Sequence, residues 1–424
     1  MKKALALLIF FLPLISTAQT AWTWTALDTL PFRVANNAVT HGTVAGEKYV
    51  YSFGGIDTTR IYSGIHKRAF RYSVTADSWE EIAPLPFTLS NIASGASTVN
   101  NIIYIFGGYH VYEGGSEVSS NEVIRYDPET NSYLTNGAAI PVPIDDHVQA
   151  VWRDSLIYLI TGWSNTGNVP DVQIYNPYND SWQVGTPTPN TNDYKAFGPS
   201  GTIIGDTIYY YGGASMGINF PARKILRKGV IDADDPTSIT WTLLDDGPNT
   251  LYRSASLKYN GVLFWVGGSA TSYNYNGIAY NGSGGVTPLT QIMRYDPVYN
   301  HWYAGEGAPY GIMDLRGIAT ISPTQWIICG GMEEDQVVTN KTFLLTYDPE
   351  VGGTPTNGST ESFKIVNRHV ILFAKAQSIE VFNTNGQMLA RLASNTTEIP
   401  SHLKGTFIIR VGFQTGFVSK KIQL

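Results

Sequence analysis

The sequence predicts an all-β protein in which six repeats of about fifty residues close into a ring, followed by a small separate β module. An apolar run ending in paired glycines recurs along the chain, and an aromatic pair seven residues apart follows most copies. Helix-favouring runs of Ala, Leu, Glu and Lys are missing after the first twenty residues. With 42 Gly, 26 Tyr and 10 Trp in 424 residues, the composition is that of many short strands joined by tight turns.

The apolar run ends at Gly54-Gly55, Gly107-Gly108, Gly212-Gly213, Gly267-Gly268 and Gly330-Gly331, with a degenerate copy at Gly162-Trp163. Such a run suits a strand covered on both faces, and paired glycines suit a strand end that another backbone approaches closely. Behind it, Tyr72 to Trp79, Tyr126 to Tyr133, Tyr175 to Trp182 and Tyr295 to Trp302 share one interval, which sets one hairpin register four times. Asp127-Pro128, Asn176-Pro177, Asp296-Pro297 and Asp348-Pro349 are turn chemistry. A proline then lies seven residues past the tryptophan: Pro86, Pro189, Pro248 and Pro309. Each repeat therefore reads as four short strands.

These three markers in order resemble kelch repeats, and they cover roughly residues 21–350. The resemblance implies an all-β, six-bladed kelch β-propeller of four-stranded blades around a central channel. Three departures stand out: Gly-Trp in the third repeat, Tyr133 in place of tryptophan, and Lys228 where a tyrosine is expected, followed by the inserted IDADDPTS. The sixth repeat lacks an outer strand. Trp24, seven residues before Pro31, places the missing strand at the N-terminal end of the chain, so that the N-terminal strand closes the ring and removes an open edge.

Residues 1–18 read as a signal peptide: Met1-Lys2-Lys3, an apolar stretch, then small residues before a cleavage point. The propeller is assigned to 19–350, a turn-rich linker to 351–360, and a C-terminal β-sandwich module to 361–424. That last stretch, with an Asn385-Gly386 turn, the strand around Phe407 and the terminal Lys-Ile strand, resembles the sorting module of type IX secretion substrates. The resemblance implies delivery by outer-membrane secretion machinery to the cell surface or the medium. The net charge of −6 argues against nucleic acid as a partner, and no apolar stretch is long enough for a transmembrane helix. The single Cys329 permits no disulfide within the chain. A monomer is expected, since no coiled coil or swapped element is evident.

Long ordered loops on a rigid ring commonly carry binding. The second repeat offers GYHVYEGGSEVSS with Glu113, the fourth ASMGINFPARK with Arg223, and the fifth SATSYNYNGIAYNGSGG, rich in tyrosine and asparagine. Residues near the start of each innermost strand should ring the channel mouth: Asn37, Asn91, Asp146, Asp193, Tyr194, Arg253 and Arg316. The two arginines are expected to clamp a carboxylate, with Asp146 and Asp193 across from them. The leading expectation is a binding propeller for a glycan or protein ligand. The alternative is an enzyme similar to sialic acid mutarotases or epimerases, with the arginines on the anionic sugar. No cofactor and no metal site are expected: Cys329 lies in a core strand, the histidines have no metal spacing, and Asp232, Asp234 and Asp235 lack the rest of a calcium loop.

Overall fold

The structure is a computed structural model that describes residues 21–349 and, beyond them, 363–366, 369–372, 378–384, 386–392, 398–413 and 416–423. The signal peptide assigned to 1–18, the linker assigned to 351–360 and Asn385 of the expected turn lie outside the described residues.

Between Trp22 and Tyr347 the described residues form six sheets built on four antiparallel strands each, and two small hairpins, Tyr109–Val111 with Glu117–Ser119 and Trp163–Ser164 with Gly167–Asn168, in the loops. The first sheet runs Ala38–Val44, Glu47–Phe53, Ala69–Ser73, Ser78–Ile82, and the second Gly95–Val99, Ile102–Phe106, Val123–Asp127, Ser132–Tyr133. The third runs Val148–Trp152, Leu156–Ile160, Val172–Asn176, Ser181–Val184, and the fourth Phe197–Ile204, Thr207–Ala214, Leu226–Ile231, Ile239–Leu243. The fifth runs Ala255–Tyr259, Val262–Val266, Gln291–Asp296, His301–Gly307. The sixth takes Ala319–Ser322, Gln325–Cys329 and Thr342–Tyr347, and its outer strand is Trp22–Ala26 from the start of the described chain. The ring is joined at its inner edge too, where Arg316–Gly317 runs parallel to Ala38–Val39. Gly317 is required there, because a Cβ on it would stand 2.2 Å from the Val39 carbonyl oxygen.

The core is divided into wedges between successive sheets. Tyr51, Phe53 and Ala69 of the first sheet pack on Ile103, Ile105 and Tyr126 of the second, and the pattern repeats round the ring to Val50 and Tyr72 of the first sheet against Ala319 and Ile327 of the sixth. Second strands have neighbours on both faces, so Leu156–Ile160 and Val262–Val266 are buried at every position. Each such side chain contributes about 1.5–3 kcal/mol.

The seven-residue interval has a physical basis. Tyr72 faces Trp79, Tyr126 faces Tyr133, Tyr175 faces Trp182 and Tyr295 faces Trp302 across the outer hairpins. Each of these tyrosines donates its hydroxyl to Asp77, Asn131, Asp180 or Asn300, five residues on, and each acceptor sits at positive φ in the turn. The opposing indoles staple neighbouring sheets: Trp182 Nε1 donates to the Ala138 carbonyl (2.8 Å) and Trp241 Nε1 to the Thr186 carbonyl (3.0 Å). Tyr133 does the same with its hydroxyl, 2.9 Å from the Ala83 carbonyl, so the second repeat keeps the staple without tryptophan. In the fourth sheet Trp241 faces Gly229, not Lys228, and its ring occupies the space a Cβ would need. In the sixth sheet the partner of Tyr347 is Trp22, with Trp24 opposite Leu345. The two indoles point to the same face, so a two-residue shift preserves burial. Packing of Trp22 against Phe264, Trp326 and Tyr347 decides the register.

The C-terminal region has a two-stranded sheet, Phe363–Val366 with His369–Leu372, and a four-stranded sheet ordered Met388–Leu392, Ser378–Asn383, Thr406–Phe413, Gly416–Gln423. Val370 of the first and Ile379, Val381, Phe407, Ile409 and Val411 of the second share one core. The region touches the propeller at the turn after Asp296: the Tyr299 hydroxyl lies 2.6 Å from Ser419 Oγ, and its ring lies 5.5 Å from that of Phe382.

Candidate functional site

The connections that enter the six inner strands set the geometry of the axis. Asn36, Ala93, Asp146, Gly198, Arg253 and Asp314 occupy equivalent places just before those strands, and all six have φ between 47° and 68°. In this left-handed turn each residue bonds to the next round the ring. Asp146 N donates to Ala93 O, Gly198 N to Asp146 O, Arg253 N to Gly198 O, Leu315 N to Arg253 O and Asn36 N to Asp314 O. Ala93 N donates to the Asn36 side-chain oxygen and completes the circle. Non-glycine residues pay about 1–2 kcal/mol for the conformation, which the hydrogen bonds offset.

Side chains from this circle fill the axis. Arg253 Nε lies 3.1 Å from Asp146 Oδ1 and its Nη2 2.5 Å from Oδ2, while Nη1 reaches Asp314 Oδ1 at 3.1 Å. Arg316 Nη1 stands 3.4 Å from Asp146 Oδ1 and its Nη2 donates to the His147 carbonyl at 3.0 Å. Arg253, Asp146 and Asp314 are at most 2% exposed. Burial pushes Asp314 up to about 6 even though Arg253 opposes the shift, whereas the two carboxylates and neighbouring tyrosines hold Arg253 well above its ordinary value. Asp314 and Asn36 belong to this circle and were not singled out from the sequence. Their signal is residue type: Asn, Asp and Gly tolerate positive φ best and recur at that one place.

The arginine pair expected to hold an external carboxylate therefore converges on Asp146 instead. Asp193 is not opposite it: it accepts from Arg223 Nη2 at 2.7 Å and is half exposed. Its carbonyl accepts from the buried Arg227, and the Tyr194 carbonyl accepts from Tyr210. Asn37 ties sheets together by donating to Ser52 Oγ (2.8 Å) and the Cys329 carbonyl (3.3 Å), and Asn91 donates to the Gly107 carbonyl. Their side chains are satisfied by the chain itself. Glu113 is exposed on its loop and adds to burial in raising the nearby Tyr62 hydroxyl.

The plug separates two spaces. On one side lies a channel of about 380 Å³ lined by inner strands, with Thr40, Ser97, Gln149, Ser200, Ser256 and Arg316 among its walls. On the long-loop side lies a pocket of about 140 Å³, with Asp146 and Arg253 at its base and walls of Tyr109, Trp163, Phe197, Phe220 and Tyr280. Glu117, Asp145 and Asn274 complete it. The loops noted in the sequence supply Tyr109 and Glu117, Phe220, and Asn274 and Tyr280. Asp145 is 2% exposed and accepts from Ser119 Oγ at 2.6 Å. Burial, then the neighbouring Asp146, raise its carboxyl well above the ordinary range. Burial also raises Glu117, at the exposed rim, and Tyr280.

Residues 50–336 match the family described as the Attractin/LZTR1 beta-propeller. The chain belongs to this propeller family. Human Kelch-like protein 15 is 24% identical over 259 residues, 59% of this chain and 40% of that protein, and Kelch-like protein 25 of Xenopus tropicalis is 24% identical over 279 residues, 64% of this chain and 41% of that protein. The propeller thus spans about two fifths of the curated relatives it matches. A solved structure, that of YjhT, overlays with a TM-score of 0.60 at 15% identity, covering 76% of this chain and 97% of YjhT. At that identity the overlay establishes a shared fold.

Proposed function

We propose that this propeller is a six-bladed, exported, monomeric binding module that takes a glycan or protein ligand through its long-loop face. In this reading the signal peptide is cleaved, and the C-terminal β-sandwich is a type IX sorting module that engages outer-membrane secretion machinery for delivery to the surface or the medium. The observation that carries the binding reading is the loop-face pocket, where Trp163, Phe220 and Tyr280 from loops of the third, fourth and fifth sheets, with Phe197 at the start of an inner strand, surround the carboxyls of Glu117 and Asp145. Large rings with a few polar groups at a concave site supply contact area and orientation. A glycan array and a surface-proteome pull-down with the propeller test it: binding should fall at least tenfold in Phe220→Ala while the variant stays folded. Binding indifferent to every loop-face substitution would sink the reading.

A second reading, a sialic acid mutarotase-like enzyme, has one observation in its favour. Asp145 is a buried carboxyl at the pocket wall, raised above the ordinary carboxylate range first by burial and then by Asp146, and a carboxyl so placed is a candidate for passing a proton. Its original support, a free arginine clamp, is reduced because Arg253 and Arg316 already hold Asp146. Anomerisation of sialic acid followed by NMR separates the two: acceleration abolished by Asp145→Asn supports the enzyme, and no acceleration supports the binding module.

A further inference from the structure

The charge and the walls of the loop-face pocket define its ligand more closely than its position does. Around its base and the plug beneath, four carboxyls (Glu117, Asp145, Asp146 and Asp314) stand against two guanidiniums, Arg253 and Arg316. Asp146 is saturated by the arginines and Asp314 is bonded to Arg253. Asp145 receives one hydrogen bond, from Ser119, and among the described residues no cation pairs with it or with Glu117. An anion entering this pocket would find both guanidiniums already held by carboxylates. A cation would find Asp145 and Glu117 without a cationic partner, and its charge would favour their ionised forms.

The walls point the same way. Trp163, Phe197, Phe220 and Tyr280 form an edge-on cluster in which Phe197 and Phe220 each meet the other three rings at centroid distances of 5.0–6.1 Å, and all four line the cavity. Aromatic walls attract an ammonium through the ring quadrupole and lose little when it sheds water, especially if its charge is spread over alkyl groups. A cavity of about 140 Å³ is below the roughly 300–1,000 Å³ of a drug-sized site, so it suits a head group whose remainder lies outside.

We propose that this pocket binds an alkylammonium head group, methylated or primary, between the aromatic rings and the carboxyls of Glu117 and Asp145. The proposal rests on the loop-face binding reading and names the chemistry recognised there. Two sources share that chemistry, a small choline-like amine and a lysine side chain of a protein, and separate arms of the test distinguish them.

Titration calorimetry on the propeller with its C-terminal module tests the proposal. The probes are choline, its neutral isostere 3,3-dimethylbutan-1-ol, and a short peptide carrying lysine or trimethyllysine. Choline or the peptide should bind at least about tenfold more tightly than the isostere, the peptide exceeding choline if a protein is the source. Glu117→Gln, an exposed change that does not threaten folding, and Asp145→Asn should each reduce that preference several-fold. Equal binding of choline and the isostere, or a cation preference untouched by Glu117→Gln, overturns the assignment. So does a glycan or protein that binds through Phe220 with no dependence on either carboxyl, an outcome that leaves the loop-face reading intact. Loss of all loop-face binding overturns both.

Discussion

The two ends of the axis are built from the same six repeats yet differ in every respect that matters for recognition. The channel side is lined by inner strands, where Thr40 meets Thr98 at 3.1 Å, Gln149 meets Ser97 at 2.7 Å and Ser200 meets Ser254 at 2.7 Å. Small polar groups recur there because inner strands converge on the axis and leave little room for larger ones, and they satisfy one another. The loop side is assembled from connections of unequal length, with large rings and, among the described residues, two carboxyls without a cationic partner. Repetition produces a wall, and departure from repetition produces a pocket. The Asp146–Arg253–Asp314–Arg316 plug is the boundary, and it too arises where equivalent positions carry different residues.

The strongest way to break the comparison is to open the ring that both ends share. Deleting residues 21–31 removes the outer strand of the sixth sheet together with Trp22, buried against Phe264 and Trp326. The exposed edge and apolar face should cost much of a stability of about 5–15 kcal/mol, and aggregation on expression is expected. A soluble deletion variant with unchanged melting temperature would rule out the closure.

Breaching the boundary is the next largest effect. Arg253→Ala leaves Asp146 and Asp314 buried without their main partner, at about 3–5 kcal/mol. The double change Arg253→Ala, Asp146→Ala should be less damaging than the single one, because it removes the stranded charge with its partner. Denaturant unfolding of the set measures the coupling, and strict additivity would show that the plug is not a unit.

His147, beside the plug on the channel side, sharpens the comparison through pH. Burial, with Arg316 nearby, lowers it to about 3, against about 6.5 in an unfolded chain. Between those values the unfolded state binds the proton and the folded state does not. Stability is therefore lost as pH falls below about 6.5, by up to about 1.4 kcal/mol per unit. Asp314, pushed up to about 6, acts oppositely, costing stability as pH rises from about 4 to 6. His147→Gln should lower the slope of stability with pH by about one proton across pH 4 to 6. An unchanged slope would mean that His147 is protonated in the fold or already neutral when unfolded.

The smallest expected effect contrasts the two linings directly. Ser256→Ala in the channel should change stability by no more than about 1 kcal/mol, the worth of its bond to the Gly201 carbonyl, and leave ligand binding alone. Phe220→Ala should cost more stability, since its ring packs on Trp163, Phe197 and Tyr280, yet keep the fold and weaken the ligand about tenfold. If the channel change weakens the ligand as much, the binding site lies on the wrong end.

The all-β class and the propeller repeat were legible because they are local: a buried strand must be apolar, a tight turn must use Asp, Asn, Pro or Gly, and the Tyr72 to Trp79 interval records one hairpin register wherever it occurs. The loops that build the pocket were legible as well, since their lengths and their tyrosines stand out against the repeat. Which side chains meet was another matter. Arg253 and Asp146 are 107 residues apart, and nothing in their neighbours' identities says that ring closure brings one guanidinium onto the other's carboxylate and thereby fills a clamp that looked free. Asp145 and Asp146 are adjacent in the chain, but the alternation of side-chain direction at a left-handed residue sends one into the plug and leaves the other at the pocket wall. By itself the sequence determined the repeat, the turns and the aromatic staples, which depend on contacts within one sheet or to the next. The tertiary structure alone decided the charge balance on the axis, because that depends on which of six converging repeats places an acid or a base opposite another.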